Sequence, residues 1–195
     1  MEFIIDQLVT WWQFTVVGIL IAIGFIVNMF GVDCDDVIIG FEYKEMPKLQ
    51  PIAIPTAGKG FWGAIWMWLM GTRNWKVAED WAFRMEGTWF VIPAGFTFDG
   101  ASIPKFLHTW LSPTGVLLMG GLVHDFAYKY ETLLKINKKK TIGNITQKKA
   151  DLIFRDINIE QNGFHLLNKL AYWALRIGGF VVWNKHRKNN AKIED

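Results

Sequence analysis

The chain has 195 residues, of which 51% are hydrophobic and eleven are Trp, so it is long and apolar enough to bury the core of one ordinary domain. Cys34 is the single cysteine, which excludes an internal disulfide, and nothing in the composition requires an oxidising compartment. The net charge of +3 is unevenly placed: residues 1–134 hold 8 Lys/Arg and 13 Asp/Glu, whereas residues 135–195 hold 13 and 5. The basic part suits an anionic partner, either lipid headgroups or nucleic acid, or else a solvated surface.

The first 32 residues carry the signal of a membrane anchor. No charged residue occurs from 7 to 32, and the stretch at 16–27, VVGILIAIGFIV, is wholly apolar or Gly. About 20 residues of this kind span a hydrocarbon core of ~30 Å, and Trp11 and Trp12 suit one of its interfaces. A signal peptide is the alternative, but the residues before the apolar run are acidic and no small-residue cleavage site follows. We therefore predict a single-pass anchor.

Residues 33–74 are predicted to be a linker and a Trp-rich apolar segment. Lys44 and Lys48 follow the anchor while no Lys or Arg precedes it, which favours a cytoplasmic carboxyl-terminal domain. Prolines predict a linker over 49–60. The run GFWGAIWMWLMG at 60–71 is too short to span a bilayer and is either a buried helix or a helix lying on the membrane interface.

Residues 75–184 read as one domain of mixed structure. Alternating apolar residues over 75–96, interrupted by EGT, predict two strands joined by a turn. FTFDGASIP at 96–104 reads as a loop, and helical signals follow over 115–134. This order, an anchor, then a hairpin, then helices, predicts an α+β fold with an antiparallel helix pair.

Two further helices are predicted after a basic loop at 137–144. Thr146 is a good N-cap for a helix that runs to Asn162, where Asn-Gly ends it. In the last segment an apolar stripe recurs at helical spacing. Its members are Leu167, Leu170, Ala171, Ala174, Ile177 and Val181. Residues 185–195 are predicted to be a basic, polar tail.

The pair His124-Asp125 follows an apolar run, and an imidazole and a carboxylate in such a place need partners or a function. Tyr128 lies four residues after His124, on the same helical face. A short connection would return the helix that begins at Thr146 beside the first helix and bring Asp151 against His124. Such a carboxylate would orient the imidazole, whose other nitrogen could then deprotonate water.

The same pattern predicts a calcium site. Asp125 is left to hold a hard cation, and the turn at Asp99-Gly100 offers a carboxylate and backbone carbonyls, the ligands that Ca²⁺ prefers. A cation there would polarise an ester carbonyl. The alternative is structural: a buried His124 bonded to a carboxylate for stability, with Asp99 capping a turn.

Four motifs stand in order over about residues 75–184: PAGFTFDGASIP, HDFAY, KKADLIFRDI and YWALRIGGFVVW. This stretch resembles the family filed as domain of unknown function 1353, which occurs widely in phages and prophages. The resemblance implies a phage-type protein of the virion or the host inner membrane. It implies no activity, because the family name supplies none.

The motifs DGAS, HDFAY and ADLIFRD are also similar to the active-site core of bacterial secreted phospholipases A₂. The resemblance implies that His124 is the general base, Asp151 its orienting partner and Tyr128 a support for both. It implies that Asp125 and the loop around Asp99 bind Ca²⁺. The chain departs from those enzymes because it has one cysteine, a predicted anchor and longer gaps between the motifs.

Two functions remain open from the sequence. One is Ca²⁺-dependent hydrolysis of lipid esters at a bilayer surface, and the other is a non-catalytic role in a viral or host envelope, since a shared scaffold does not carry activity with it. Zinc, P-loop, dinucleotide and serine-hydrolase motifs are absent from the sequence. The Lys runs at 135–140 and 184–188 favour anionic phospholipid over nucleic acid beside an anchor. The oligomeric state is not predicted.

Overall fold

The computed structural model describes residues 39–54, 57–70, 74–99, 115–136, 141–189 and 193, together with seven separate helical residues between 12 and 23. The predicted anchor at 1–32 lies outside the described residues apart from those seven, as do Cys34 and Gly100. In the described ranges, no helix is long and apolar enough to cross a bilayer.

Eight short strands form two antiparallel sheets in the described part of the chain. They are β1 (Glu42–Tyr43), β2 (Leu49–Pro51), β3 (Trp75–Val77), β4 (Trp81–Met85), β5 (Thr88–Ile92), β6 (Thr97–Phe98), β7 (Leu133–Lys135) and β8 (Thr141–Ile142). One sheet has the order β1-β4-β5-β7-β8 and the other the order β2-β3-β6. The linker prediction over 49–60 is therefore wrong at its start, where β2 pairs with β3.

The predicted hairpin is confirmed in β4 and β5. Met85 pairs with Thr88, and the two residues between them, Glu86 and Gly87, have φ of 49° and 72°. Positive φ at both central residues is the geometry of a tight two-residue hairpin turn, whose twist matches that of the strands. The short strands β3 and β6 flank this hairpin in sequence and belong to the second sheet.

In the part of the chain from residue 39 onward that the structure describes, four helices follow or interrupt these strands. They are α1 (Gly60–Met70), α2 (Leu118–Tyr130), α3 (Gln147–Asn162) and α4 (His165–Asn189). The predicted boundaries of α3 are confirmed: the Thr146 hydroxyl accepts a hydrogen bond from the Lys149 N–H, and Gly163 ends the helix with φ of 67°. The chain therefore has the predicted α+β fold.

Two helix ends differ from the sequence prediction. The predicted helical region at 115–134 ends at Tyr130, because Glu131 adopts the left-handed conformation and the chain then enters β7. The predicted polar tail begins within α4. Arg187 explains this continuation, since its guanidinium binds the carbonyls of Tyr128 and Lys129 and pairs with Glu131.

The Trp-rich helix α1 is not a buried helix. Phe61, Trp62 and Trp66 are all largely exposed, and no residue from 61 to 67 is buried. The interpretation as a buried helix is therefore wrong, whereas the interfacial interpretation remains a prediction.

The core lies between the larger sheet and α2, with α3 and α4 packed on α2. Its fully buried members include Phe83 and Phe90 of the hairpin and Phe126 of α2. The close contact of α2 with α3 depends on Gly120, because a Cβ there would lie 2.6 Å from the Phe154 carbonyl oxygen. This close approach sets the distance between His124 and Asp151.

Candidate active site

Helix α2 supplies three polar side chains to the site, those of His124, Asp125 and Tyr128. His124 and Tyr128 are one helical turn apart, so they lie on the same face, and their ring centroids are 3.9 Å apart. The imidazole is buried at 3% exposure, and the Phe154 ring of α3 packs edge-on against it. Because the neighbouring side chains fix the plane of the ring, its two nitrogens point in defined directions.

The predicted contact between His124 and Asp151 is confirmed. The distance from His124 Nε2 to Asp151 Oδ1 is 3.0 Å, and the Tyr128 hydroxyl donates to the same oxygen over 2.5 Å. Asp151 is completely buried on α3. Burial raises the pKa of Tyr128, and the hydrogen bond to Asp151 raises it further, so the phenol keeps its proton and remains a donor.

Helix α4 completes the Asp151 side of the site. Arg176 Nη1 lies 2.7 Å from Asp151 Oδ2, and the Trp183 ring packs edge-on against Tyr128. Gly179 allows this approach, because a Cβ at that position would lie 2.5 Å from the Tyr128 hydroxyl oxygen. Both oxygens of Asp151 are thus engaged by groups from α2 and α4.

The other ring nitrogen of His124 faces a different environment. Its Nδ1 lies 3.3 Å from Oδ1 of Asp125, and Oδ2 of Asp125 is buried with no hydrogen-bond partner in the described part of the chain. Burial, together with the negative charge of Asp99, raises the pKa of Asp125 to about 7, against the opposing hydrogen bond from His124. Two carboxyl groups therefore share one region of the site.

The imidazole itself is held in an environment that favours its charged form. Burial lowers the pKa of His124, but hydrogen bonds and charge from Asp125 and Asp151 outweigh burial and place this pKa above its ordinary value. A neutral ring held between two carboxylates can accept a proton and be stabilised as imidazolium. This is the property that a general base needs.

Calcium fits the residues on the Asp125 side. The unpartnered Oδ2 of Asp125 and the neighbouring Asp99 carboxyl are hard oxygen donors, and a divalent cation would relieve their mutual repulsion. Within the described ranges, no cluster of three or more His, Cys, Asp or Glu side chains could hold a metal ion. The remaining ligands would thus be carbonyl oxygens or water, and the predicted ligand Gly100 lies outside the described residues.

The structure brings together all the predicted site residues that it describes: Asp99, His124, Asp125, Tyr128 and Asp151. Sequence reasoning missed Arg176 and Gly179. The signal for Gly179 was available, since a Gly pair inside a helical pattern indicates a close approach of another element. Arg176 gave no such signal, because Arg is common on helix surfaces.

The chain belongs to a family without an assigned function. The family model described as "Protein of unknown function (DUF1353)" matches residues 75–175. This range contains the predicted site residues from Asp99, which follows β6, to Asp151 on α3, whereas Arg176 and Gly179 of α4 lie just beyond it. No curated protein and no solved structure matches the chain.

Proposed function

We propose that this protein is a calcium-dependent lipid ester hydrolase whose general base is His124. The observation that carries the proposal is the placement of one buried imidazole between Asp151, with its full set of donors, and Asp125, with an unpartnered oxygen. The similarity of these motifs to bacterial phospholipases A₂ supports a phospholipid substrate.

Each described residue has a definite task in this proposal. Asp151 fixes the tautomer by accepting the Nε2 proton of His124, and Tyr128 and Arg176 hold Asp151 in place. The unprotonated Nδ1 of His124, which lies 3.3 Å from Asp125 Oδ1, then takes the proton of a water molecule that attacks the ester carbonyl carbon. The same nitrogen gives that proton to the departing alcohol, so the ester is cleaved to a fatty acid and an alcohol. Calcium, held by Asp125 and Asp99 with Gly100, would polarise the ester carbonyl when bound.

We further propose that the protein is phage- or prophage-derived and acts on the bilayer that holds its own predicted anchor. An anchor over residues 1–32 would keep the domain at the membrane, in the virion or the host inner membrane. The lysines that follow the anchor favour a domain on the cytoplasmic side. Anionic phospholipid is the expected partner, and nucleic acid is not.

The test is fatty-acid release from vesicles of phosphatidylcholine and phosphatidylglycerol by the detergent-purified full chain, with Ca²⁺ or with chelator. We expect release that needs Ca²⁺ and is lost in His124→Asn. The matched control is His165→Asn, which changes an exposed histidine of α4 and should release fatty acid as the unchanged chain does. Absence of release by the folded, unchanged chain in either lipid would contradict the proposal.

A non-catalytic envelope or assembly role is the second candidate. Its supporting observation is the burial of the same cluster, since His124 is 3% exposed and Asp151 is fully buried. A buried polar cluster of this kind can fix the packing of three helices without doing chemistry. In that case His124→Asn would lower thermal stability and no lipid would be cleaved.

A further inference from the structure

Helix α4 exposes a long apolar face. Its buried side includes Asn168, Tyr172 and Gly179 and packs on the rest of the domain. The opposite side carries apolar residues spaced three or four apart, which places them on one stripe. From the amino end, these residues are Leu166, Leu170, Trp173, Ala174, Ile177, Phe180 and Val181.

Most residues of this stripe are exposed, so they do not pack in the core. Ile177 is 74% exposed, and Phe180 and Val181 are each more than half exposed. The predicted apolar stripe is therefore divided: Ile177 and Val181 lie on the exposed face, whereas Leu167 and Ala171 pack against the core. A contiguous exposed apolar stripe of this length marks an interaction surface.

The charge of α4 indicates the kind of partner. The helix contains five Lys or Arg and no Asp or Glu. Arg176 and Arg187 are engaged by Asp151 and by the end of α2, whereas Lys185 and Lys188 are exposed at the carboxyl end of the apolar stripe. An exposed apolar face bordered by lysines is complementary to an anionic bilayer surface.

We propose that the exposed apolar face of α4 docks the domain onto an anionic phospholipid bilayer, with Ile177, Phe180 and Val181 at the boundary between headgroups and acyl chains. The face is joined to the candidate active site, because Arg176, which binds Asp151, immediately precedes Ile177. Docking through α4 would hold the site at a fixed distance from its substrate. This inference deepens the proposed function and rests on it for the identity of the substrate.

The test uses the full chain, so that the predicted anchor is present in every sample. In a Cys34→Ser background, Val181→Cys carries an environment-sensitive fluorophore, and Lys76→Cys, an exposed position on β3, is the matched control. Both proteins are reconstituted into phosphatidylcholine and phosphatidylglycerol vesicles whose acyl chains carry bromine as a quencher. We expect at least a twofold loss of fluorescence at position 181 and none at position 76.

Two results would overturn the docking surface. One is equal fluorescence at positions 181 and 76 in brominated and ordinary vesicles. The other is a label at 181 that is shielded from water but not quenched by lipid, which would mean that residues 7–32 or a second copy of the chain cover the stripe. Replacing Lys185 and Lys188 with Glu should reduce quenching at 181 in anionic vesicles. Unchanged quenching would contradict the proposal that these lysines attract the face to an anionic bilayer.

The quenching and release measurements distinguish an error in the docking proposal from an error in the hydrolase proposal. Quenching at 181 without fatty-acid release would leave the docking surface and contradict the hydrolase. Release without quenching at 181 would leave the hydrolase and contradict docking through α4.

Discussion

The two sides of the His124 imidazole differ in how completely their polar groups are satisfied. On the Nε2 side, Asp151 receives hydrogen bonds from Tyr128 and Arg176 as well as contacting the ring. On the Nδ1 side, Asp125 keeps one buried oxygen without a partner in the described part of the chain and lies beside Asp99. The polar groups of the first side are paired within the protein, whereas the second side keeps a buried carboxylate oxygen without a partner in the described ranges.

This difference separates two roles for buried carboxylates. A carboxylate with all of its partners orients a neighbouring group and stabilises the fold. Its removal lowers stability, because the buried donors that it bound are left without an acceptor. A carboxylate with a missing partner costs stability until a ligand arrives, which is typical of a binding site. Substitutions on the two sides should therefore change stability in opposite directions.

The largest effect is expected from Asp151→Asn. The amide can present an N–H to His124, which selects the wrong tautomer, so the rate of fatty-acid release should fall roughly 10³-fold or more. Stability should fall by about 3 kcal/mol, because a fully buried carboxylate bonded to His124 and Tyr128 is lost. Steady-state rates and thermal unfolding of the full chain measure both.

The matched control for this change is Asp156→Asn. Asp156 is also buried on α3 and pairs with the buried Arg155. This variant should lose similar stability and keep its rate. Equal losses of rate in the two variants would mean that Asp151 acts only through the fold.

Asp125→Asn is expected to raise stability or leave it unchanged, in contrast to the loss of stability expected for Asp151→Asn. Without Ca²⁺ the variant should unfold at the same temperature as the unchanged chain or higher, since a buried charge beside Asp99 is removed. Saturating Ca²⁺ should stabilise the unchanged chain by about 2.7 kcal/mol at 100 times the dissociation constant, and the variant hardly at all. Thermal unfolding with Ca²⁺ and with chelator measures this, and an equal Ca²⁺ effect in both proteins would refute a cation at Asp125.

The two glycines of α4 test how closely this helix must approach Tyr128. Gly179→Ala should cost about 1–3 kcal/mol, because its Cβ would meet the Tyr128 hydroxyl. Gly178→Ala should stabilise the chain by about 0.5–1 kcal/mol, since a Cβ there meets no atom of the described residues within 4 Å. Thermal unfolding of both variants measures the contrast.

A double substitution sharpens the result at Gly179. Tyr128→Phe removes the oxygen that the new methyl group would contact, so part of the Gly179→Ala penalty should disappear in the double variant. Strict additivity of the two changes would show that the Tyr128 hydroxyl is not what limits the approach of α4.

The smallest effect is expected from Arg176→Gln. The Arg176 side chain is 28% exposed, so solvent screens its ion pair with Asp151 and the loss of stability should be about 1 kcal/mol or less. The rate should fall less than about tenfold, because the His124–Asp151 contact remains. A loss of rate as large as that of Asp151→Asn would place Arg176 in the chemistry itself.

The sequence predicts those parts of the fold and site that depend on local chemistry. The turn at Glu86-Gly87, the Thr146 cap and the Gly163 end of α3 each follow from residues in direct sequence proximity. The His124–Asp151 contact was predicted from a short connection between two helices, and it forms although the segment between Tyr130 and Gln147 contains β7 and β8.

The parts that were not predicted depend on distant contacts. Strands of two or three residues such as β1 and β8 are too short to show a period of two, so they form only where a partner strand offers its edge. Which side of α4 faces outward could not be read from its pattern either. Its core-facing side combines polar groups such as Asn168 with apolar ones such as Leu175, and its exposed side is apolar as well.

The initial rate of fatty-acid release as a function of free Ca²⁺, measured for the unchanged chain and for Asp125→Asn, decides whether a cation at Asp125 takes part in ester cleavage. We expect a rate that rises and saturates with Ca²⁺ in the unchanged chain. In the variant the rate should be at least about 100-fold lower over the same range, since a bound cation contributes several kcal/mol at an ester carbonyl. Release that persists in chelator, or that depends on Ca²⁺ identically in both proteins, would rule out a catalytic cation at Asp125.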